Sequence, residues 1–114
     1  MASRSPLLRI QDMLESIQGI EAAIVGKTFR DYQRSRLLRS AIERGIEVIS
    51  EASRHLDSDL KARHDNLRWD DIAGIGNILR HEYQHVDATI IWRAVKNDLP
   101  QLKAALLALK ASLK

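Results

Sequence analysis

Between Gly74 and His85 the chain reads Gly-Ile-Gly-Asn-Ile-Leu-Arg-His-Glu-Tyr-Gln-His, and this short run holds nearly every side chain type that proton and phosphate chemistry needs. On a helix, Asn77, His81 and His85 stand four apart and share a face. Arg80 is offset from His81 by about 100°, yet its arm is long enough to reach the same cleft. An imidazole exchanges protons near neutral pH, a guanidinium grips a phosphate through two donors, and an amide can orient either. Together they suffice for metal-independent cleavage of a ribonucleotide phosphodiester, in which the neighbouring 2′-hydroxyl attacks phosphorus while histidine moves the proton. Spacing alone is a weak signal, because a His–Arg pair on a helix is more often plain surface.

The same residues admit another reading. His81 to His85 fits H-E-x-x-H, two zinc-binding histidines with a glutamate base. A catalytic zinc needs a third protein ligand. After His85 the candidates are Asp87 and Asp98, and before it His55 and His64 serve only if the fold brings them in. No metal and no other cofactor is therefore assigned. Gly74 and Gly76 each weaken a helix by roughly 1 kcal/mol relative to alanine, so they mark either a close helix–helix approach or a shaped site. Glu47 and Glu51, four apart upstream, either brace Arg80 or His81 across a bundle or stand in solvent.

Four helical stretches position these residues. Ser5-Pro6 is a good helix start, after which Leu7, Ile10, Leu14, Ile17 and Ile24 recur at helical steps, and Gly26 is a plausible stop. A second helix is predicted from about Thr28–Asp31 to Leu56, with Leu38, Ile42, Ile46, Ile49, Ala52 and Leu56 as its stripe. Arg30, Arg34, Arg36, Arg39 and Arg44 make its first half basic, which reads first as a solvated face. Asp57 to Arg68 is a connection with room for one helical turn. A third helix opens at Trp69-Asp70-Asp71 and frays near Tyr83. Asp87 caps a fourth, where Ile91, Val95, Leu99, Leu102, Leu106, Leu109 and Leu113 alternate steps of four and three. That stripe suits a dimer interface or the bundle core. Pro100 should kink or split this helix after Asn97. Trp69 and Trp92 read as core or interface anchors.

The 114 residues suit one domain spanning 1–114, with an all-α, up-and-down bundle of four to five helices. Hydrophobic residues at 45% and charged ones at 29% give a globular balance, and the net charge of +3 permits contact with a polyanion without arguing for one. There are no cysteines, hence no disulfide framework and no thiolate metal site. The opening Met-Ala-Ser-Arg-Ser-Pro lacks a signal-peptide layout, and no apolar run approaches a membrane span. A cytoplasmic location without membrane contact is expected.

With these segments in view, the chain resembles HepT-like proteins of the HEPN superfamily. The resemblance rests on Gly74 to Tyr83, on Trp92 to Lys103, and on Ala41 to Ala52, occurring in that family's order and covering roughly Leu7 to Leu106. It implies a HEPN-like homodimer whose two motif copies lie near a shared cleft. It also implies a ribonuclease toxin of a type VII-like toxin–antitoxin system, acting on RNA. Its partner would be an MntA-like nucleotidyltransferase antitoxin that transfers AMP from ATP to the motif tyrosine and so blocks cleavage. The family motif is R-x4-H-x-Y. His81 matches its histidine, Tyr83 its tyrosine, and Asn77 the residue that often follows its arginine. The arginine's own position is Gly76, and Arg80 is expected to supply the phosphate contact instead. The alternative is a catalytically inactive partner that binds a nucleotidyltransferase without cutting RNA. If loss of the arginine silenced the protein, Gly76→Arg is expected to create cleavage.

Overall fold

The structure, a computed structural model, describes residues 5–82 and 87–113, with the side chains of Ile78, Arg80, His81 and Glu82 outside that description. Helix α1 (Pro6–Ile24) starts where the Ser5 hydroxyl accepts the Leu8 amide at 3.3 Å. It buries Ile10, Met13, Leu14, Ile17 and Ile20 and ends before Gly26, whose φ of +71° is the left-handed turn a side chain would resist.

The predicted second helix is two helices. Short α2 (Phe29–Arg34) is closed by a reciprocal cap, with the Asp31 amide donating to Thr28 Oγ1 at 3.1 Å and the Thr28 amide to Asp31 Oδ2 at 2.9 Å. Ser35 then turns extended (φ −97°, ψ 107°), and its hydroxyl accepts the Leu38 amide at 3.0 Å to begin α3 (Arg36–Arg54). Ser35 is thus an N-cap inside what looks like one basic helix, because capping serines compete with helix continuation. A single turn, α4 (Ser58–Ala62), occupies the connection, and α5 (Trp69–Glu82) follows.

The fourth predicted helix is interrupted as expected. Asp87 caps α6 (Ala88–Arg93) by accepting the Thr89 amide at 2.9 Å. One π turn (Ala94–Asp98) leads into α7 (Leu99–Ser112). Pro100 has no N–H to continue the ladder, so the backbone opens. The Leu99 amide reaches back to Ala94 O, and Gln101 Nε2 donates to Asn97 O at 3.1 Å.

Among the described residues the fold is an all-α bundle, with α3 packed along both α1 and α5, and α7 on α1. The heptad-like stripe of α6–α7 ends at Leu113, which is 36% exposed, but faces inward as far as Leu109, since Ile91, Val95, Leu99, Leu102, Leu106 and Leu109 are all 8% exposed or less. Those residues complete this monomer's core with Ile10, Ile17, Ile42 and Ile49. The stripe therefore gives no support to a dimer interface, for a residue buried within its own bundle cannot also meet a partner.

Candidate functional site

The α3–α5 contact is closer than ordinary helix packing. Ser50 is fully buried on α3 and donates its hydroxyl to Ala73 O at 2.6 Å, with Arg54 Nη2 reaching the same carbonyl at 3.4 Å. One turn along α5, Gly76 is buried. A Cβ at that position would collide with Ser50 Oγ and lie 3.6 Å from Glu47 Cα. Gly76 is therefore the close approach that the paired glycines suggested. Gly74 is not, having nothing within 4 Å of a built Cβ, and it borders an open groove. The motif arginine is thus more than missing. The space next to position 76 is occupied by α3, so Gly76→Arg would first have to push α3 and α5 apart before its guanidinium could reach a phosphate. Ser50 was passed over in sequence, although Ser50 and Ser53, three apart beside an apolar stripe, mark a face that tolerates a close neighbour. Both are buried, and Ser53 donates to Ser50 O at 2.7 Å.

Ala73 meets Ser50 and Arg54, while position 76 meets Ser50 and Glu47, so α5 runs antiparallel to α3. His81 lies five residues beyond Gly76, or about 7.5 Å along the axis. Its turn consequently stands beside α3 near Ile42 and Glu43. Asn77 is exposed on α5. Arg80 and His81 are in the last turn of α5, while Tyr83 and His85 lie outside the described residues. Glu47 is half-buried and pairs with Arg44 at 3.7 Å; Glu51 is exposed and meets Arg54 at 4.0 Å and His55 at 3.4 Å.

Glu43 is a carboxyl that the sequence pattern did not single out. Burial raises its pKa above the ordinary glutamate value, Arg39 and then the Tyr32 hydroxyl oppose the rise, and Glu47 adds a smaller push upward. Against it stands Tyr32, whose buried hydroxyl makes no hydrogen bond of good geometry. Its pKa is pushed up, chiefly by burial and then by the charge of Glu43. The Tyr32 ring packs on Trp92 at 5.5 Å, Phe29 meets the same indole at 6.2 Å, and Lys96 Nζ lies 5.8 Å from its centroid. Trp69 is buried and donates Nε1 to His64 O at 3.1 Å. A groove of about 580 Å³ beside α5 has Leu67, Ile72, Ile75 and Ile90 in its lining, with Arg68 and Arg93 among its charged residues. Among the described residues no three His, Asp or Glu side chains are grouped to hold a metal ion. No described helix is long and apolar enough to cross a membrane.

The chain matches the family described as Ribonuclease HepT-like over residues 13–109. It is 30% identical over 103 residues to a presumed RNase of Methanocaldococcus jannaschii, covering 90% of this chain and 94% of the relative. A probable ribonuclease HepT of Thermococcus cleftensis is 33% identical over 94 residues, covering 82% and 86%. A presumed RNase of Caldanaerobacter subterraneus is 28% identical over 100 residues, covering 88% and 89%. No solved structure matches significantly. The matched span takes in most of α1, all of α3 and α5, and most of α7, the helices that form this core and carry the Asn77–His81 segment. The chain belongs to the HepT-like ribonuclease family.

Proposed function

We propose that the protein is a metal-independent endoribonuclease that acts as the toxin of a toxin–antitoxin pair. The observation that carries this reading is the family match across residues 13–109, which includes the whole of α5. In the reaction, a ribose 2′-oxygen attacks the adjacent phosphorus and the bond to the 5′-oxygen breaks, leaving a cyclic phosphate and a 5′-hydroxyl. His81 moves the proton from attacking to leaving oxygen, Arg80 offsets the charge that grows on the phosphate, and Asn77 orients them. Position 76 cannot share the phosphate contact while α3 and α5 stay closed. The test is cleavage of RNA by the purified protein in EDTA. Activity that persists there and disappears in His81→Ala supports the reading, and cleavage unchanged by His81→Ala removes that residue from the chemistry.

Two further elements belong to the same proposal. The active form is a homodimer with its motif helices at a shared cleft. Its antitoxin is a nucleotidyltransferase that adds AMP to Tyr83, placing bulk and negative charge beside His81 and Arg80 and so excluding RNA. Intact-mass measurement after mixing with ATP and the neighbouring nucleotidyltransferase should show an added AMP that Tyr83→Phe abolishes. A shift that survives Tyr83→Phe moves the acceptor elsewhere.

A second reading has its own observation. The sealed contact at Gly76 favours a non-cleaving relative that binds the nucleotidyltransferase and leaves RNA intact. Stable complex formation with no cleavage by the wild-type chain would select it.

A further inference from the structure

The chain's positive charge is concentrated in one place. Residues 27–39 contain Lys27, Arg30, Arg34, Arg36 and Arg39 against Asp31 alone, a net +4, whereas the whole chain is +3, so the remainder is net −1. All five basic residues are exposed. Among the described residues none of the five is held in an ion pair within 4.0 Å, although other arginines on α3 are. The one acid is engaged by the backbone, its Oδ2 accepting the Thr28 amide at 2.9 Å. Arg30 and Arg34 stand one turn apart on α2, and Arg36 and Arg39 rise from the first turn of α3.

The fold sets this charge beside the candidate site. Because α5 runs antiparallel to α3, the turn carrying His81 stands near Ile42. Arg39 is three residues and Arg36 six residues from there, about 5 and 9 Å along the helix axis. Helix α2 packs on α3 and, through Phe29 and Tyr32, on Trp92 of α6, so the corner is fixed to the end of the bundle where α5 finishes.

We infer that the α2–α3 corner is the RNA-docking surface of this protein, where Lys27, Arg30, Arg34 and Arg36 hold phosphates flanking the one presented to the His81 turn. The inference rests on the ribonuclease reading and adds to it where the substrate lies. Three arginines to one lysine suit phosphate oxygens, which a guanidinium grips through two parallel donors. An anionic membrane surface is the competing partner, since Val25 (76% exposed) precedes the patch and Leu37 (83% exposed) lies within it. Two separate apolar side chains do not form the continuous stripe that lies in a bilayer interface. The closeness of the basic corner to the His81 turn favours RNA.

The test uses the full chain and a fluorescent single-stranded 2′-O-methyl oligoribonucleotide, which lacks the attacking hydroxyl and so reports binding without cleavage. Replacing Arg30, Arg34 and Arg36 together by Gln should weaken binding at least tenfold. It should also lower the slope of log affinity against log salt by about 2, at roughly 0.7 per phosphate contact to a single strand. The matched Arg→Lys triple keeps the charge and should retain most of that slope. It also serves as the folded comparison should the Gln triple lose its helical circular dichroism. Replacing Lys61, Arg63 and Lys110 by Gln, at the far end of the bundle, should leave binding unchanged. Unaltered affinity in the corner triple, or an equal loss in the far-end triple, overturns the docking surface while wild-type RNA cleavage keeps the nuclease reading. Loss of binding to phosphatidylserine vesicles with RNA binding intact also overturns it. A wild-type chain that neither binds nor cuts RNA removes both.

Discussion

Gly76 and Ser50 occupy one small volume, and which of them yields decides what position 76 can become. A methyl group at 76 would overlap Ser50's own Cβ at 2.5 Å, so turning the serine hydroxyl aside does not relieve the clash. Gly76→Ala gains about 1 kcal/mol of helix propensity but loses more to overpacking and to the Ser50–Ala73 hydrogen bond, for a net destabilisation of about 1–2 kcal/mol. Urea unfolding measures it. Ser50→Gly in the same chain removes the obstacle, so the double variant should be more stable than the sum of the two singles by over about 1 kcal/mol; additive losses would mean the helices separate at no cost. Gly76→Arg should lower the unfolding midpoint further and yield no new cleavage. Glu43 offers a second residue-scale prediction, with the opposite sign. Burial raises its folded pKa above the ordinary 4.5, so its ionised form is less favourable in the folded than in the unfolded chain. That cost is absent well below pH 4.5, where both states are protonated, and is fully present above the folded pKa. Glu43→Gln should therefore stabilise the protein near pH 7, with the gain fading as pH falls toward about 4, read by urea unfolding at the two pH values. A variant no more stable at neutral pH would show that the favourable interactions with Arg39 and Tyr32 outweigh burial.

The helices draw their stability from stripes that the bundle closes over, and this makes α7 a sharp test of where its stripe goes. Leu106 is fully buried in the monomer core, so Leu106→Ala should cost about 2–5 kcal/mol. Because the loss is internal, it should be the same at every protein concentration; a loss that shrinks as concentration rises would return the stripe to an interface. The apolar steps of α1, α3 and α6–α7, and the caps at Ser5 and Asp87, were legible because each is a local pattern whose meaning does not depend on the neighbour. The break at Ser35 was not, since five arginines and a continuing stripe disguised a capping serine as one more helical residue. The direction of the α7 stripe was hidden for a related reason. A heptad repeat says that a face is covered, but only the approach of α1 says by what. In the α5 segment the glycines announced a close contact without naming its partner, which lies on another helix, at Ser50.

At the scale of the whole molecule, a shared catalytic cleft needs a face that the monomer leaves uncovered. With the α6–α7 stripe enclosed, the described surface offers the groove beside α5, whose lining includes Leu67, Ile72, Ile75 and Ile90. Ile90 is 55% exposed there and shares the groove lining with the partly buried Ile72 and Ile75. Gly74 lines the same groove, and the open space at its missing Cβ lets another surface approach the backbone of the helix that carries His81. A second copy docked in this groove would bring its own α5 toward the first, as a two-fold contact repeats each patch on both sides. On this account Ile90→Asp should convert a dimer to a monomer by light scattering at micromolar concentration while leaving the helical circular dichroism intact, because Ile90 adds nothing to the enclosed core. Cleavage should fall with the dimer if the two motif helices work together. A dimer that survives Ile90→Asp assigns the contact to another face, and a wild-type monomer would leave each His81 to act without a partner's help.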